Sequence, residues 1–313
     1  MTDIKEYTIE RLNDKNLADV ERLHIAVYGL ARPENYFRKK YNSSYTGVSN
    51  IGFIAYNKER IAIAYYGVIP CYVEYQNEVV LAAQSADTMT HPGFRYKGLF
   101  VELSNICFDF CKETGIHLIF GFPNQNSYHG AIHKLGWKMT ETMDCFAIPV
   151  RGIPLENLFL KFALGRRMYE KYKRAVLKKY LLPETGLPNS VIKDGYGGVC
   201  RNEEYLAYKT YSNTFVIGTD TFKAWIKIKN GLIIGDMAIT ENNFLDSIKK
   251  IKKIARKLGL KQIYFHASKE TSLHNLFMQY YQPVPSFPVL FQDLNSKISI
   301  HKIKFAFADI DIF

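Results

Sequence analysis

The sequence predicts an α/β protein, α+β in its mixed sheets, built as two halves of like element order. Three observations predict this. Runs of alternating apolar residues interleave with helical 3.6-residue patterns along all 313 residues. Up to residue 150 the patterns run β-α-α-β-β-β-α-β-α-β, an antiparallel meander that turns mixed at its central strand. After residue 200 a similar order begins again. The organisation read from this is 1–150, a basic helix and Gly/Pro linker over 151–199, and 200–313.

The elements follow in order. "EYTIERL" alternates as a strand. Asn13 or Asp14 can cap a helix that runs to about Tyr28 and ends at Gly29, and Pro33 opens a short helix toward Tyr41. "IGFIAY" and "RIAIAYYGVIPCYVEY" are strands joined through "NKE", and "QN" turns the chain into the strand "EVVLAAQSADTMT". A helix then carries Leu99, Leu103, Ile106, Cys107 and Phe110 on one face. "HLIFGFP" is a short buried strand. Asn126 caps a helix with Tyr128, Ala131, Ile132 and Leu135 on its apolar face, and "KMTETMDCFAIPV" is a further strand. "GLPNSVIKDGYGGV" (186–199) reads as a linker. The second half then gives a short helix, the strands "NTFVIGT", "FKAWIKIKN" and "LIIGDMAIT", a helix over 243–258, the strand "QIYFHAS", a helix over 270–281, and the strands "PVLFQDL" and "KIKFAFADIDIF".

Composition narrows the function. The apolar runs, such as "IAIAYYGVI", are too short to span a membrane, and "MTDIKEYTIERL" carries no apolar signal segment. A cytoplasmic protein is expected. Five scattered cysteines contain no C-x-x-C, which argues against a zinc ribbon or redox pair and for buried thiols in a reducing compartment. The net charge of +11 favours anionic partners. It is concentrated in 161–180 and 247–261, each readable as a solvated helix face; neither has the interleaved aromatics and glycines of a single-strand RNA binder.

The stretch "HPGFRYKGLF" (91–100) joins a strand to a helix. A helix that begins in a glycine-bearing turn directs unpaired N–H groups and the positive end of its dipole outward, a site suited to phosphate. Gly98 lets backbone approach a ligand, and Arg95 and Lys97 add charge. The alternative is a solvated turn with two surface cations. Neither G-x-x-x-x-G-K-[ST] nor G-x-G-x-x-G is present.

This loop resembles the R/Q-x-x-G-x-G/A loop of the GNAT acyltransferase superfamily, which grips the pyrophosphate of coenzyme A. Phe100 stands where the family usually has a small residue. "FGFPNQNSYHGAIHKLGW" resembles the second GNAT signature, a splayed strand followed by an Asn-led helix. The resemblance implies two GNAT-like halves, with acetyl-CoA bound in the first by Arg95, Tyr96, Lys97, Gly98, Leu99, Phe100 and Asn126. It also implies that a backbone N–H among Thr88, Met89 and Thr90 polarises the thioester carbonyl. The reaction would be direct transfer to the amine of a small molecule, such as an amino sugar or amino acid derivative, with no covalent enzyme intermediate. The family's acid, a tyrosine, falls at Ile132, so Tyr128 one turn earlier is the nearest replacement; it could equally pack in the core. Asp87 could be the base or a structural carboxylate. In some tandem GNAT-like enzymes, N-myristoyltransferases among them, the chain end supplies the base, which makes Phe313 a candidate; alternatively it ends an edge strand. His129 and His133 have metal-ligand spacing but no third ligand, so no metal is expected. In the second half the turn "TENNF" has no glycine and no cation, which suggests a degenerate copy. Two other readings stay open: a peptidoglycan-bridge type transferase taking aminoacyl-tRNA, and a non-catalytic acyl-CoA-binding protein. The basic helices favour tRNA, the nucleic-acid partner that only this alternative implies; the loop favours coenzyme A. A homodimer is an allowed assembly.

Overall fold

The structure, a computed structural model, describes residues 6–155, 159 and 163–313. The chain divides into two compact units, one of residues up to 141 with 287–302, the other of 142–286 with 303–313. The units are therefore not the contiguous spans 1–150 and 200–313.

In the first unit β1 (Tyr7–Arg11), β2 (Gly52–Asn57), β3 (Ala62–Tyr75) and β4 (Glu78–Thr90) pair antiparallel in sequence order. The β3–β4 hairpin turns on Gln76 and Asn77, with φ of 49° and 66°. Positive φ at both central positions is the type I′ geometry whose twist suits a two-residue hairpin. β5 (Leu118–Gly121) joins β4 in parallel. Helix α1 is Leu17–Tyr28 and α2 is Tyr36–Tyr41. α1 starts later than expected: the Asn16 side chain accepts from the Asn13 N–H at 2.8 Å, closing a turn that delays the helix, and Gly29 at φ 69° ends it. Helices α3 (Leu99–Glu113) and α4 (Gln125–Leu135) pack with Leu99, Leu103, Cys107, Phe108, Ala131, Leu135 and Trp137 in one apolar core.

The second unit contains the latter part of β6 (Lys138–Pro149), helix α5 (Ala163–Leu177), the short α6 (Ser190–Lys193), β7 (Gly198–Val199) and α7 (Glu203–Tyr208). β8 (Thr214–Thr219), β9 (Phe222–Ile228) and β10 (Leu232–Ile239) form an antiparallel meander. Helix α8 (Phe244–Lys257) follows, then β11 (Gln262–Ala267), parallel to β10, and helix α9 (Ser272–Met278). On α8 the buried face is Phe244, Ile248, Ile251 and Ile254, so its lysines form the solvated side of an amphipathic helix. Lys161 and Phe162 of the basic stretch lie outside the described residues.

Three expectations need correction. Residues 186–199 are not a loose linker: Asn189 is buried, caps α6 and donates to the Val199 carbonyl at 2.9 Å. The last residues, "KIKFAFADIDIF", do not form a strand. They run through 3-10 turns at Ile300–Lys302 and Phe307–Asp309, with lone bridges at Ile303 and Ala306. Alternation there misled because residues 303–310 are buried on every side, and the Asp309 carboxylate accepts from the Ala306 N–H at 2.9 Å to hold a turn.

The third correction concerns the strands that follow α4 and α9. Asp144–Pro149 of β6 pairs antiparallel with Gln262–Ala267, within the second unit. Leu290–Asp293 of β12 (Val284–Asp293) pairs antiparallel with Leu118–Gly121, within the first. Each sheet is completed by a strand from the other half of the sequence.

Candidate active site

The site is built around a fault in β4. Tyr65 pairs with Met89 and Gly67 with Ala86, so Tyr66 alone faces both Asp87 and Thr88. Two residues against one is a β-bulge, and Asp87 takes φ of 43° to make it. The parallel pairing of β4 to β5 stops just before, after Ala82–Leu118, Ala83–Ile119 and Gln84–Phe120. β5 ends at Gly121 while β4 continues to Thr90, so the two strands part and leave backbone of β4 beyond the bulge unpaired on the β5 side.

Asp87 is held rather than free. Lys40 Nζ, with its side chain 1% exposed, donates to its carboxylate at 2.6 Å, and the Tyr41 hydroxyl donates at 2.8 Å. Burial raises the Asp87 carboxyl, but Lys40, Tyr41 and the more distant Arg32 outweigh it and hold the group below the ordinary carboxylate range. Burial and the Asp87 charge push the Tyr41 hydroxyl upward, so it stays a donor. Of the two expectations for Asp87, this geometry favours the structural carboxylate. Lys40 was not found from the sequence, although its signal was there: Phe37, Lys40 and Tyr41 share the buried face of α2 at helical spacing.

After β4, the His91 ring accepts from the Gly93 N–H at 3.2 Å, and Pro92–Phe94 forms a single 3-10 turn. Tyr96 stands wholly exposed at φ of 66°. Gly98, at φ of 77°, is the first cap of α3, and nothing lies within 4 Å of where its Cβ would be. No side chain caps the first turn of α3. Arg95 and Lys97 are exposed; Lys97 lies over the Phe94 ring at 5.2 Å. Leu99 is buried, so its backbone alone faces the turn. Uncapped N–H groups, open space at a glycine and two cations make an anion cradle. A groove of about 290 Å³ opens beside it, lined by Tyr7, Ile63, Phe94, Lys97 and Leu99 among others.

Phe100 fits its place because of Gly130 on α4, where a Cβ would come within 2.8 Å of the Phe100 ring. The larger residue on α3 is accommodated by the smallest on its neighbour.

Helix α4 is capped by Asn124, not Asn126. Asn124 has extended backbone, and its Oδ1 accepts from the N–H groups of Asn126, at 2.9 Å, and Ser127, at 3.2 Å. Asn126 therefore stands in the first turn, exposed. The Tyr128 ring packs at the edge of the core, and its hydroxyl donates to Met139 Sδ at 3.3 Å, a weak acceptor that a substrate could displace. The His129 and His133 rings are tilted against each other with centroids 4.5 Å apart; among the described residues no three metal-ligating side chains cluster. Met89 is buried in the sheet, the Thr88 carbonyl accepts from the Tyr28 hydroxyl at 3.5 Å, and Thr90 pairs with Ala64. Phe313 lies in the second unit, where its ring is fully buried against Trp225 and Phe307, at centroid distances of 5.4 and 5.7 Å. Among the described residues four cysteines are buried and Cys200 is partly so.

Residues 8–140 match the family model of the acetyltransferase (GNAT) domain. No curated protein matches the sequence. Among solved structures, a GCN5-related N-acetyltransferase from Kribbella flavida aligns with a TM-score of 0.57 at 12% identity, covering 92% of this chain and 72% of its own. One from Anabaena variabilis gives 0.56 at 12%, covering 92% and 73%. The N-myristoyltransferase of Saccharomyces cerevisiae, solved with bound myristoyl-CoA, gives 0.57 at 12%, covering 93% and 83%. At such identities the likeness to these structures is one of fold. The family match spans the meander, the bulge, the cradle and α4, so it is the first unit of the chain that resembles a GNAT acetyltransferase domain.

Proposed function

We propose that the first unit binds an acyl-CoA, with acetyl-CoA as the donor, and transfers its acyl group to the amine of a small molecule. The observation that carries this reading is the cradle at 95–100, which follows directly on a bulged strand that has parted from its neighbour. The pyrophosphate would sit on the uncapped first turn of α3, with Gly98 giving access and Arg95 and Lys97 supplying charge. The pantetheine arm would run into the gap between β4 and β5, where strand-like backbone lacks a partner. The thioester carbonyl would then lie at the bulge, where an N–H of β4 stabilises the developing oxyanion. Amine attack forms the tetrahedral intermediate and the amine's proton passes to solvent water; collapse breaks the C–S bond and releases the coenzyme A thiolate, to which Tyr128 would give a proton, regaining one from water. No covalent enzyme intermediate is needed.

In this reading the second unit is a degenerate copy that binds no donor. Its turn after β10 is a 3-10 turn at Glu241–Asn243 with no glycine, and the first residue is an acid. An aminoacyl-tRNA donor, by contrast, presents no pyrophosphate to the cradle.

Calorimetric titration with acetyl-CoA tests the reading. One site per chain is expected, with affinity that weakens as salt rises. Gly98→Glu should abolish binding by placing a like charge in the cradle. Gly98→Asn, which tolerates the left-handed backbone, should retain it. Arg95→Ala should cost about 1–3 kcal/mol. Unchanged affinity in Gly98→Glu, or two sites per chain, would overturn the assignment.

A further inference from the structure

Arg32 lies in the segment between α1 and α2, and its surroundings are built for it. His24, at the buried face of α1, directs Nδ1 to the Leu30 carbonyl at 2.9 Å and receives the Arg32 Nε–H on Nε2 at 3.2 Å. Both contacts fit one neutral tautomer, with the proton on Nδ1. Burial, then Arg32, lowers the His24 pKa and keeps the ring neutral, so it remains an acceptor for the guanidinium. The other side of the guanidinium lies over the Tyr36 ring at 5.1 Å. One edge and one face of Arg32 are thus fixed, and its two terminal nitrogens make no hydrogen bond among the described residues.

Arg22, Arg38 and Arg60 of the same unit are neutralised, by Asp19, Asp14 and Glu10, whereas Arg11, over the Phe110 ring, and Arg95, in the cradle, have no ion-pair partner among the described residues. No carboxylate reaches Arg32 within ion-pair distance among the described residues. The nearby carboxylate, Asp87, is engaged by Lys40 and Tyr41. The position is also specific. Asp87, at the bulge, feels the Arg32 charge, and Tyr28, whose ring is 4.8 Å from His24, reaches the Thr88 carbonyl. A preorganised guanidinium without an ion-pair partner among the described residues is therefore within electrostatic reach of the bulge, where the acyl carbonyl is proposed to lie.

We infer that Arg32 selects the acceptor by holding an oxyanion, a carboxylate or phosphate, that the acceptor amine carries. This rests on the acyltransferase reading. A planar guanidinium with two free N–H-bearing ends pairs with such a group in bidentate fashion, which an ammonium could not do. His24 and Tyr36 are positioning residues that keep the fork aimed. The same arrangement repels polyamines and other acceptors whose second group is a cation.

The test uses matched amines: an amino acid and its amide, glucosamine and glucosamine 6-phosphate, and spermidine. Coenzyme A thiol release is measured with acetyl-CoA, and thermal shift is measured with the same amines in the presence of coenzyme A. The charged member of a pair should be favoured by about 10–100-fold in kcat/KM, the value of a charge-assisted bidentate contact. The pair that responds separates carboxylate from phosphate. Arg32→Gln should collapse that ratio toward one, Arg32→Lys should restore only part of it, and both should bind acetyl-CoA as the parent does. Preference for the neutral or cationic members overturns the inference, as does a preference that survives Arg32→Gln. If no amine is turned over, absence of an Arg32-dependent thermal shift by the anionic amines overturns it equally. Failure of the parent to bind acetyl-CoA sinks the acyltransferase reading instead and is seen separately by calorimetry.

Discussion

The central strands of the two units, β4 and β10, use one backbone device to different ends. Each pairs in parallel with its neighbour over three residues, Ala82–Gln84 with Leu118–Phe120 and Leu232–Ile234 with Ile263–Phe265. Each then bulges, at Asp87 and between Ile234 and Asp236. Each bulge carries a carboxylate, half-buried at Asp87 and fully buried at Asp236, with a cationic partner: Lys40 at 2.6 Å from Asp87, Arg201 Nη1 at 2.6 Å from Asp236. The difference lies in what fills the space next to them. Past β4 there is an open glycine, an uncapped helix and two cations. At β10 a Cβ on Gly235 would come within 2.3 Å of the Phe313 ring, and Arg201 is further bound to Asp309, with Nε 2.9 Å from Oδ1. A bulged strand is thus not a site by itself. It becomes one where side chains leave room and N–H groups remain uncapped.

The largest effect should come from breaking the charge network of the second unit. Arg201, Asp236 and Asp309 have side chains that are 0% exposed. Arg201→Met removes the cation bonded to both carboxylates in a dry interior, at a cost of roughly 3–5 kcal/mol. Chemical denaturation measures it, and a loss below about 1 kcal/mol would show that the network is relieved by other groups.

The matching change in the first unit is Lys40→Met. A loss near 3 kcal/mol at neutral pH is expected, at the low end of the same roughly 3–5 kcal/mol range, since Tyr41 still donates to Asp87. The pH dependence sharpens the comparison. The Asp87 carboxyl is held low in the folded parent, so its contribution is present above the ordinary carboxylate pKa and is lost as pH falls through the folded value. Without Lys40, burial is opposed only by Tyr41 and Arg32, so the group moves upward, and protonation then relieves the variant. The gap between parent and variant should narrow in acid. A gap that stays constant between neutral and acid conditions would mean that Asp87 does not titrate in the parent's pairing.

The smallest effect tests the filled space itself. Gly235→Ala should cost about 1–3 kcal/mol by forcing the Phe313 ring from its place. Combined with Phe313→Ala the two losses should be less than additive, because they share one contact. Gly98→Ala, where no atom stands in the way, should cost about 1–2 kcal/mol through the left-handed backbone alone. Additive losses in the Gly235–Phe313 pair would break the contrast between the filled bulge and the open one.

The sequence by itself determined most of the elements and the glycine-bearing, cationic turn at 95–98. Periodicity, "QN" at a type I′ turn and glycines at helix ends act within a few residues, so local pattern reports them. The anion cradle was legible for the same reason: Arg95, Lys97, Gly98 and the start of α3 are neighbours in the chain. Tertiary structure alone decided which strand completes which sheet, since Leu290–Asp293 and Asp144–Pro149 carry apolar patterns that fit any buried strand position. It decided that Lys40 rather than Lys39 is buried against Asp87, and that Asp87 is consumed by that pairing. It decided that residues 303–313 end in turns under a packed ring rather than in a strand. Each of these depends on contacts between residues far apart in the chain, whose energy is set by burial and by which partner is within reach, and local pattern carries neither.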